Sequence, residues 1–132
     1  MTRKKKRVSL PRLKQKAWDL LSLIKRQLYA DHRGVVACVT CGREHHWKEM
    51  DAGHYTPKSR GAAAYFDWHN IHPQCTHCNR FLHGNLGNYA IWLCDTYGRE
   101  EVDRLSALGT MKINRAQYEE MIEFFKACEA EL

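Results

Sequence analysis

The residues best suited to chemistry are four cysteines, which form two pairs near the middle of the chain. The pairs are Cys38 with Cys41 and Cys75 with Cys78, and two residues separate the members of each pair. One C-x-x-C turn presents two thiolates, and two such turns complete a tetrahedral shell that suits Zn²⁺. Four sulfur ligands leave no position open for water or substrate, so the spacing predicts a structural zinc site.

A second group of polar residues lies between and just after the cysteine pairs, in the order His54, Asn70, Asn79 and His83. A closed zinc site cannot supply the chemistry itself, so any catalysis must come from residues other than these cysteines. Asn79 and His83 are four residues apart. On a helix that spacing places two side chains on one face, as two ligands of one metal ion would be.

The positive charge of the chain is concentrated at its N-terminal end. The formal net charge is +6, and eight basic residues precede the first acidic residue, Asp19. Such a block is attracted to polyanions and favours DNA or RNA as a partner, although a solvated tail also explains it. Lys58 and Arg60 follow His54 and could bind phosphate or belong to a solvated loop. The eight residues are Arg3, Lys4, Lys5, Lys6, Arg7, Arg12, Lys14 and Lys16.

Length and hydropathy limit the class of protein. With 132 residues, of which 44% are hydrophobic, the chain has room for one globular domain. No apolar run is long enough to span a membrane, and no signal-peptide pattern follows the basic N-terminus. These features predict a cytoplasmic protein, where paired cysteines bind metal more often than they form disulfides. Cys94 and Cys128 lack ligand spacing and are expected to be buried thiols.

The elements that must position these residues follow from hydrophobic periodicity and from helix breakers. Residues 1–8 are expected to be a disordered basic arm, and residues 9–132 a single domain. That domain is expected to divide into an N-terminal helix over 9–33, a zinc-containing core over 35–84 and C-terminal helices over 86–132.

Within the core, the pattern predicts short strands separated by a loop, and a helix after the second cysteine pair. The strands are expected at 35–37, 44–55 and 65–68, the loop at 57–64 and the helix at 78–83. Three C-terminal helices are expected at 86–97, 100–108 and 115–130. The last should be capped by Asn114, with Gln117 completing the cap.

The second polar group, interleaved with the C-x-x-C pairs, resembles the HNH (ββα-metal) endonucleases. The segment from Cys75 to Asn79 is also similar to that of phage endonuclease VII, a junction resolvase. A more specific likeness is to the NinG family of lambdoid phages, also called Rap, which are recombination endonucleases. It runs from about Val35 to Leu108 and includes the stretches DAGHYTPKSRGAAAYFDWHNIHPQCTHCNRFLHGN and YAIWLCDTYGREEVDRL.

The resemblance implies an α+β fold with a small ββα-metal core, and a role for each matching residue. His54 would be the general base that draws a proton from the attacking water, and Asn70 would support the loop and orient His54. Asn79 and His83 would hold one catalytic cation, Mg²⁺ or Mn²⁺. The implied activity is cutting of branched DNA, such as Holliday junctions and displacement loops, in the cytoplasm of an infected bacterium. Symmetric cutting of a junction favours a homodimer.

Position 53 departs from the pattern that the resemblance suggests. Many relatives carry Asp or His immediately before the base as a further metal ligand, whereas this chain has Gly53. Asp51 has the same strand parity but lies two residues earlier. Either Asp51 reaches the cation through a β-bulge, or His83 and water molecules complete the shell.

Two other functions compete with a nuclease that acts on branched DNA. A non-catalytic zinc-knuckle module that binds DNA or RNA explains the cysteines and the basic residues. An HNH nuclease that cuts linear duplex DNA explains the histidine and asparagines as well. Its cutting would depend on sequence instead of branching.

Overall fold

The computed structural model describes residues 6–132, which form five α-helices and four short strands. The predicted α+β class is confirmed. The helices are α1 (Leu10–Gln27), α2 (Ala62–Phe66), α3 (Leu86–Tyr97), α4 (Arg99–Ser106) and α5 (Arg115–Ala130). The strands are β1 (Val35–Ala37), β2 (Glu44–His46), β3 (Asp51–His54) and β4 (Ile71–Gln74).

The largest hydrophobic core lies where α1 packs against α5, with α2 and β4 at its edge. Both helices bury an apolar stripe at helical spacing, as the sequence predicts. Both also begin with the predicted caps: Ser9 accepts from the Arg12 amide at 3.4 Å, and Asn114 and Gln117 form a reciprocal capping box. The buried residues of this core are Leu13, Ala17, Leu21, Ile24, Phe66, Ile71, Tyr118, Ile122 and Phe125.

The first helix ends earlier than predicted, at Gln27 instead of near residue 33. The reason is a tight turn in which the Asp31 carboxylate accepts the backbone N–H groups of Arg33 and Val35 at 2.9 and 3.0 Å. An aspartate that binds the backbone two residues on competes with helical hydrogen bonding. The turn directs the chain into β1.

The strand predicted over 44–55 is wrong as one element, because the chain forms two strands in two different sheets. β2 pairs with β1, and β3 pairs with β4, in both cases antiparallel. Between them a 3₁₀ turn at Trp47–Glu49 changes the direction of the chain, and the His46 ring accepts the Lys48 amide at 3.2 Å. The local sequence alternates across the break, so the periodicity gives no sign of it.

The strand predicted at 65–68 is also wrong, and so is most of the loop at 57–64. Three consecutive alanines, which favour helix, begin α2, and a 3₁₀ turn at Trp68–Asn70 follows. The true partner strand, β4, was missed because it contains Pro73, which argues against a central strand. Proline is tolerated here because each sheet has only two strands, so both strands are edges.

After β4 the chain forms a single π-helical turn, His77–Phe81, where the sequence predicts an α-helix over 78–83. The Leu82 amide bonds the His77 carbonyl at 2.9 Å. The three C-terminal helices agree with prediction, except that α4 spans Arg99–Ser106 instead of 100–108. Within residues 6–132, the helices are all too short or too polar to cross a membrane.

Candidate active site and metal centre

The four cysteines of the two C-x-x-C pairs converge, as their spacing predicts. Their sulfur atoms all lie within 4.8 Å of one another, and none of the four forms a disulfide. Cys38 and Cys41 lie in the turn between β1 and β2, Cys75 follows β4, and Cys78 lies in the π-helical turn. The group can therefore hold a metal ion such as zinc. Among residues 6–132 it is the one cluster of three or more His, Cys, Asp or Glu side chains with metal-binding spacing.

The pKa values of the clustered thiols are shifted in opposite directions, and burial raises the pKa of Cys41 to about 12. Burial raises the pKa of Cys38, but a bond from the Thr40 hydroxyl and several backbone N–H groups outweigh it and lower the pKa to about 6. Burial raises the pKa of Cys75, and the neighbouring Cys78 thiol raises it further. A bound cation favours thiolates and removes this conflict between neighbouring sulfur atoms. Cys94 and Cys128 were expected to be buried. This is wrong for Cys94, which is exposed, while Cys128 is half-buried.

Most of the second polar group meets in one cleft of about 580 Å³. The cleft lies between α1, β3 and the π-helical turn. Of the residues singled out from the sequence, His54, Asp51, Asn79, His83 and Lys58 line it, whereas Asn70 and Arg60 do not. The lining residues that the sequence-based site did not include are more numerous, and among them are Trp18, Arg26, Lys48 and Arg80. Arg80 could have been found from its position next to Asn79, but the others come from distant elements.

His54 is held by contacts that fix its tautomer. Its Nε2 lies 3.0 Å from the Tyr65 carbonyl oxygen, which can only accept, so Nε2 carries the proton and Nδ1 has the lone pair. The ring stacks on Trp18 with centroids 5.0 Å apart and 19° between the planes. Burial lowers the pKa of His54, and nearby Lys58 lowers it further, against the raising effect of the Tyr65 carbonyl. His54 is therefore a neutral base near pH 7.

Asn70 lies behind His54, fully buried, and uses its whole side-chain amide. Its Oδ1 accepts from the Thr56 amide at 2.7 Å, while its Nδ2 donates to the carbonyls of Thr56 and Ala64 at 2.9 and 2.8 Å. These bonds tie together the two ends of the segment between His54 and Tyr65. Since the Tyr65 carbonyl binds His54, the geometry of Asn70 is that of a positioning residue.

Asp51 contacts Asn79, one of the residues expected to hold a catalytic cation, and the β-bulge considered from the sequence is not present at this strand. Its pairing with Gln74 is the first of four consecutive pairs between β3 and β4, so these strands are regular there. The Asp51 carboxylate accepts from Asn79 Nδ2 at 3.0 Å and, through two bonds of 3.0 Å, from the Arg80 guanidinium. Because Asn79 uses Nδ2 in this hydrogen bond, its side-chain oxygen Oδ1 takes no part in the contact with Asp51.

The expected helical arrangement of Asn79 and His83 is not found. His83 lies beyond the π-helical turn, in the left-handed region with φ of 50°, and is exposed. Both side chains nevertheless face the cleft. The fold brings them together by a turn instead of a helix face.

Gly53 is required by packing. A Cβ atom at this position would lie 1.8 Å from Gln74 Oε1. The Gln74 amide is fixed by donating to the Thr40 hydroxyl at 3.1 Å and to the Gly84 carbonyl at 2.8 Å. Its Oε1 is buried and has no hydrogen-bond partner among the described residues. A ligand-bearing side chain at position 53 would therefore displace Gln74.

A buried polar network, which the sequence does not reveal, supports β3 through the backbone carbonyl of Gly53. The Tyr89 hydroxyl donates to the Gly53 carbonyl at 2.8 Å and accepts from His72 Nδ1 at 2.9 Å. The other His72 nitrogen, Nε2, accepts from the Tyr97 hydroxyl at 2.9 Å. Burial lowers the pKa of His72 to about 2, so this ring is neutral and structural. Lys25 is buried nearby, above the Trp68 ring at 4.6 Å, and burial lowers its pKa to about 7.

The basic residues predicted to bind DNA are only partly described. Arg3, Lys4 and Lys5 lie outside the described residues, as does most of the arm expected over 1–8. Lys6, Arg7, Arg12, Lys14, Lys16, Lys58 and Arg60 are all exposed. Lys14 extends over the Tyr65 ring at 5.1 Å, and Lys58 lines the cleft, so positive charge continues from α1 towards His54.

The fold and site define a class: a small α+β protein with a cluster of four cysteines that can hold a metal ion, beside a basic cleft. The sequence model described as Bacteriophage Lambda NinG protein matches residues 2–132, and the chain therefore belongs to the NinG family. The resemblance to the NinG family seen in the sequence is confirmed.

Several curated phage relatives match, each named Protein ninG. The one from Escherichia phage lambda is 34% identical over 94 residues, which cover 71% of this chain and 43% of the relative. That from Escherichia phage 933W is 38% identical over 70 residues, covering 53% of this chain and 34% of the relative. The relative from Salmonella phage P22 is 36% identical over 70 residues, which again cover 53% of this chain and 34% of the relative. The chain thus matches less than half the length of these relatives. No solved structure matches significantly.

The convergence of the cysteines predicts that the protein binds a single zinc ion. Cys75→Ser should leave a zinc site with three sulfur ligands, lower zinc content after dialysis and destabilise the fold, because metal affinity contributes to folding. Metal analysis by mass spectrometry and urea unfolding check this. Cys94→Ser is the matched control and should retain both zinc and stability, since Cys94 is exposed and away from the cluster. Equal zinc content in the two variants would refute the site.

The packing at Gly53 predicts a steric conflict. Gly53→Ala should lower the free energy of unfolding by about 1–3 kcal/mol, as overpacking does. Adding Gln74→Ala should cancel most of that additional loss, because the clashing amide is removed. Gly87→Ala, in α3 with open space around its Cβ position, is the control and should not destabilise. Purely additive losses at positions 53 and 74, measured by urea unfolding, would contradict the clash.

Proposed function

We propose that this protein is a metal-dependent DNA endonuclease of the HNH (ββα-metal) class. The observation that carries the proposal is His54, whose Nε2 is fixed on a backbone carbonyl and whose Nδ1 is left as a base, in a cleft lined by Lys58, Arg80 and Asn79. The order β3, β4 and helical turn, with the cysteine pairs attached, supports the ββα-metal assignment. The NinG membership and the resemblance to endonuclease VII support it further.

The proposed reaction is hydrolysis of a phosphodiester bond. His54 Nδ1 takes a proton from a water molecule as its oxygen attacks the phosphorus, and the bond from phosphorus to the 3′ oxygen breaks. The products are a 5′-phosphate and a 3′-hydroxyl. Burial favours the neutral ring that this step needs, and the bond to Tyr65 favours the imidazolium after proton transfer. Asn70 keeps that carbonyl in place.

The cleft also offers a donor set for a cation. The Asp51 carboxylate, the Asn79 amide oxygen and a His83 nitrogen are two oxygen donors and one nitrogen donor, which suits Mn²⁺ and, with added water, Mg²⁺. Such an ion supplies charge to a phosphate oxygen and to the leaving 3′ oxygen. Arg80, which pairs with Asp51, and Lys58 add positive charge for the phosphate. The four-cysteine zinc, which has no free position, would be structural.

The preferred substrate in this proposal is branched DNA, such as Holliday junctions and displacement loops, in the cytoplasm of a phage-infected bacterium. The exposed lysines and arginines at the start of the chain would hold the DNA backbone without reading sequence. Two symmetric cuts at a junction need two active sites, so a homodimer is proposed. The substrate, location and dimer are proposed from the resemblance to the NinG family. They are proposals for this chain because it matches less than half the length of its curated relatives.

The proposal predicts that cutting depends on His54. End-labelled four-way junction and linear duplex of matching sequence are incubated with zinc-loaded protein, with and without Mg²⁺ or Mn²⁺. His54→Ala should slow junction cutting by about 10²–10⁴-fold, the usual contribution of a general base, and keep DNA binding. His32→Ala, at an exposed position outside the cleft, is the control and should cut normally.

The pH profile gives a second readout of the same step. The ring is the active base only when neutral, and its pKa is lowered in the fold. Cutting should therefore fall on acidification, with a midpoint below the ordinary value of about 6.5.

Each contrary outcome has a separate meaning. Wild-type rates in His54→Ala would refute the mechanism. Binding without any cutting by the wild type would favour the non-catalytic zinc-knuckle module. Equal cutting of junction and duplex would retain the chemistry and refute the preference for branched DNA.

A further inference from the structure

An exposed apolar surface borders the proposed active site. It consists of Phe81, Leu82 and Leu86, which we call the Phe81 patch, with relative exposures of 71%, 45% and 41%. Single exposed apolar residues are common on proteins, but a group of three beside a functional cleft calls for an explanation. Leu86 lines the cleft, as does His83, which directly follows Leu82 in the sequence.

The backbone holds the Phe81 patch rigidly outward. Phe81 ends the π-helical turn that also carries Cys78, and the Gly84 amide bonds the Cys78 carbonyl at 2.9 Å. His83 and Asn85 both take the left-handed conformation, with φ of 50° and 48°. Such conformations are unfavourable for residues other than glycine and persist where the surrounding structure fixes them. The side chain of Phe81 is thus presented to solvent by a constrained turn anchored at the metal centre.

The surroundings of the patch favour one kind of partner. Arg80, adjacent to Phe81 in sequence, points a 66%-exposed side chain into the cleft, where Lys58 and Lys48 also lie. On the outer side the His77 ring stacks on Phe81 at 6.1 Å and 28°. Cations beside an exposed aromatic ring match the two features of a nucleic acid, its phosphates and the flat faces of its bases.

We propose that Phe81 stacks on an unstacked base at the branch point of the DNA, next to the phosphate held in the His54 cleft. Bases in a continuous duplex already stack on both faces, so no base face is accessible to the Phe81 ring unless the duplex is opened. At a branch point stacking is interrupted more easily than within a continuous duplex, and in a single strand the base is already unpaired, so a base face is exposed there at lower cost. The Phe81 patch would therefore select branched over linear DNA. This inference rests on the proposed function, and names how that same site recognises its substrate.

Binding, not cleavage, tests the inference. In a His54→Ala background, the four-way junction carries 2-aminopurine, whose fluorescence responds to stacking, at the branch point. A linear duplex of the same sequence carries it at the same position. Phe81→Ala should weaken junction binding about tenfold, a typical effect of losing one base–aromatic stack, and abolish the fluorescence change. Duplex binding should stay unchanged, and Phe81→Trp should retain both junction signals.

Phe124→Ala is the matched control, because Phe124 is an aromatic residue that is 60% exposed and lies outside the cleft. It should leave junction binding unchanged. The inference is overturned if Phe81→Ala binds the junction normally, or loses junction and duplex binding equally. It is also overturned if sedimentation shows that Phe81→Ala converts a dimer to a monomer, since the patch would then contact a second copy of the chain. A failed nuclease proposal appears separately, as unchanged cutting by His54→Ala.

Discussion

The convergence of four cysteine sulfurs within 4.8 Å is the constraint on which the rest of the site depends. Two-stranded sheets are marginally stable by themselves, and residues 6–132 form two of them in place of one larger sheet. The cysteine cluster joins the turn of the first sheet to the end of the second and to the π-helical turn. A cation bound there would fix all three against one another. The Asn79, Arg80 and Phe81 side chains are then carried on an anchored turn.

His54 lies at the other end of the second sheet, and both its ring and the preceding residue are held by contacts. Trp18 and Tyr65 contact the ring, and Asn70 ties the intervening loop. Tyr89 binds the backbone carbonyl of Gly53. Side chains that are to act as bases must be held closely in place, and a support made of saturated hydrogen bonds does this. The strand is thus held in place by contacts within the chain itself.

Gln74 connects these two halves of the site. It contacts Thr40, whose hydroxyl lies 3.2 Å from the Cys38 sulfur, and it fills the space where a side chain at position 53 would project. A side chain at position 53 is therefore incompatible with the position of this glutamine, which connects the four-cysteine cluster to β3. The Asp51 carboxylate contacts Asn79 instead. The departure from the expected pattern is accounted for by packing.

The sequence alone determined the features that depend on spacing along the chain. The two C-x-x-C pairs predicted the metal centre, helical periodicity predicted α1, α3 and α5, and Asn114 with Gln117 predicted a cap. These succeed because each is set by residues within a few positions of one another. Residue order and family likeness also placed His54, Asn79 and His83 in one proposed site.

Only the tertiary structure decided how distant segments meet. It split the 44–55 strand between two sheets, paired β3 with the proline-containing β4, and brought Trp18 and Arg26 from α1 into the cleft. It also buried Lys25 and His72 in a network of tyrosines. None of these contacts follows from local pattern, because each depends on residues far apart in sequence and on the space left between packed elements. The residue types thus determine which chemistry the site can perform, and the packing of distant elements determines its geometry.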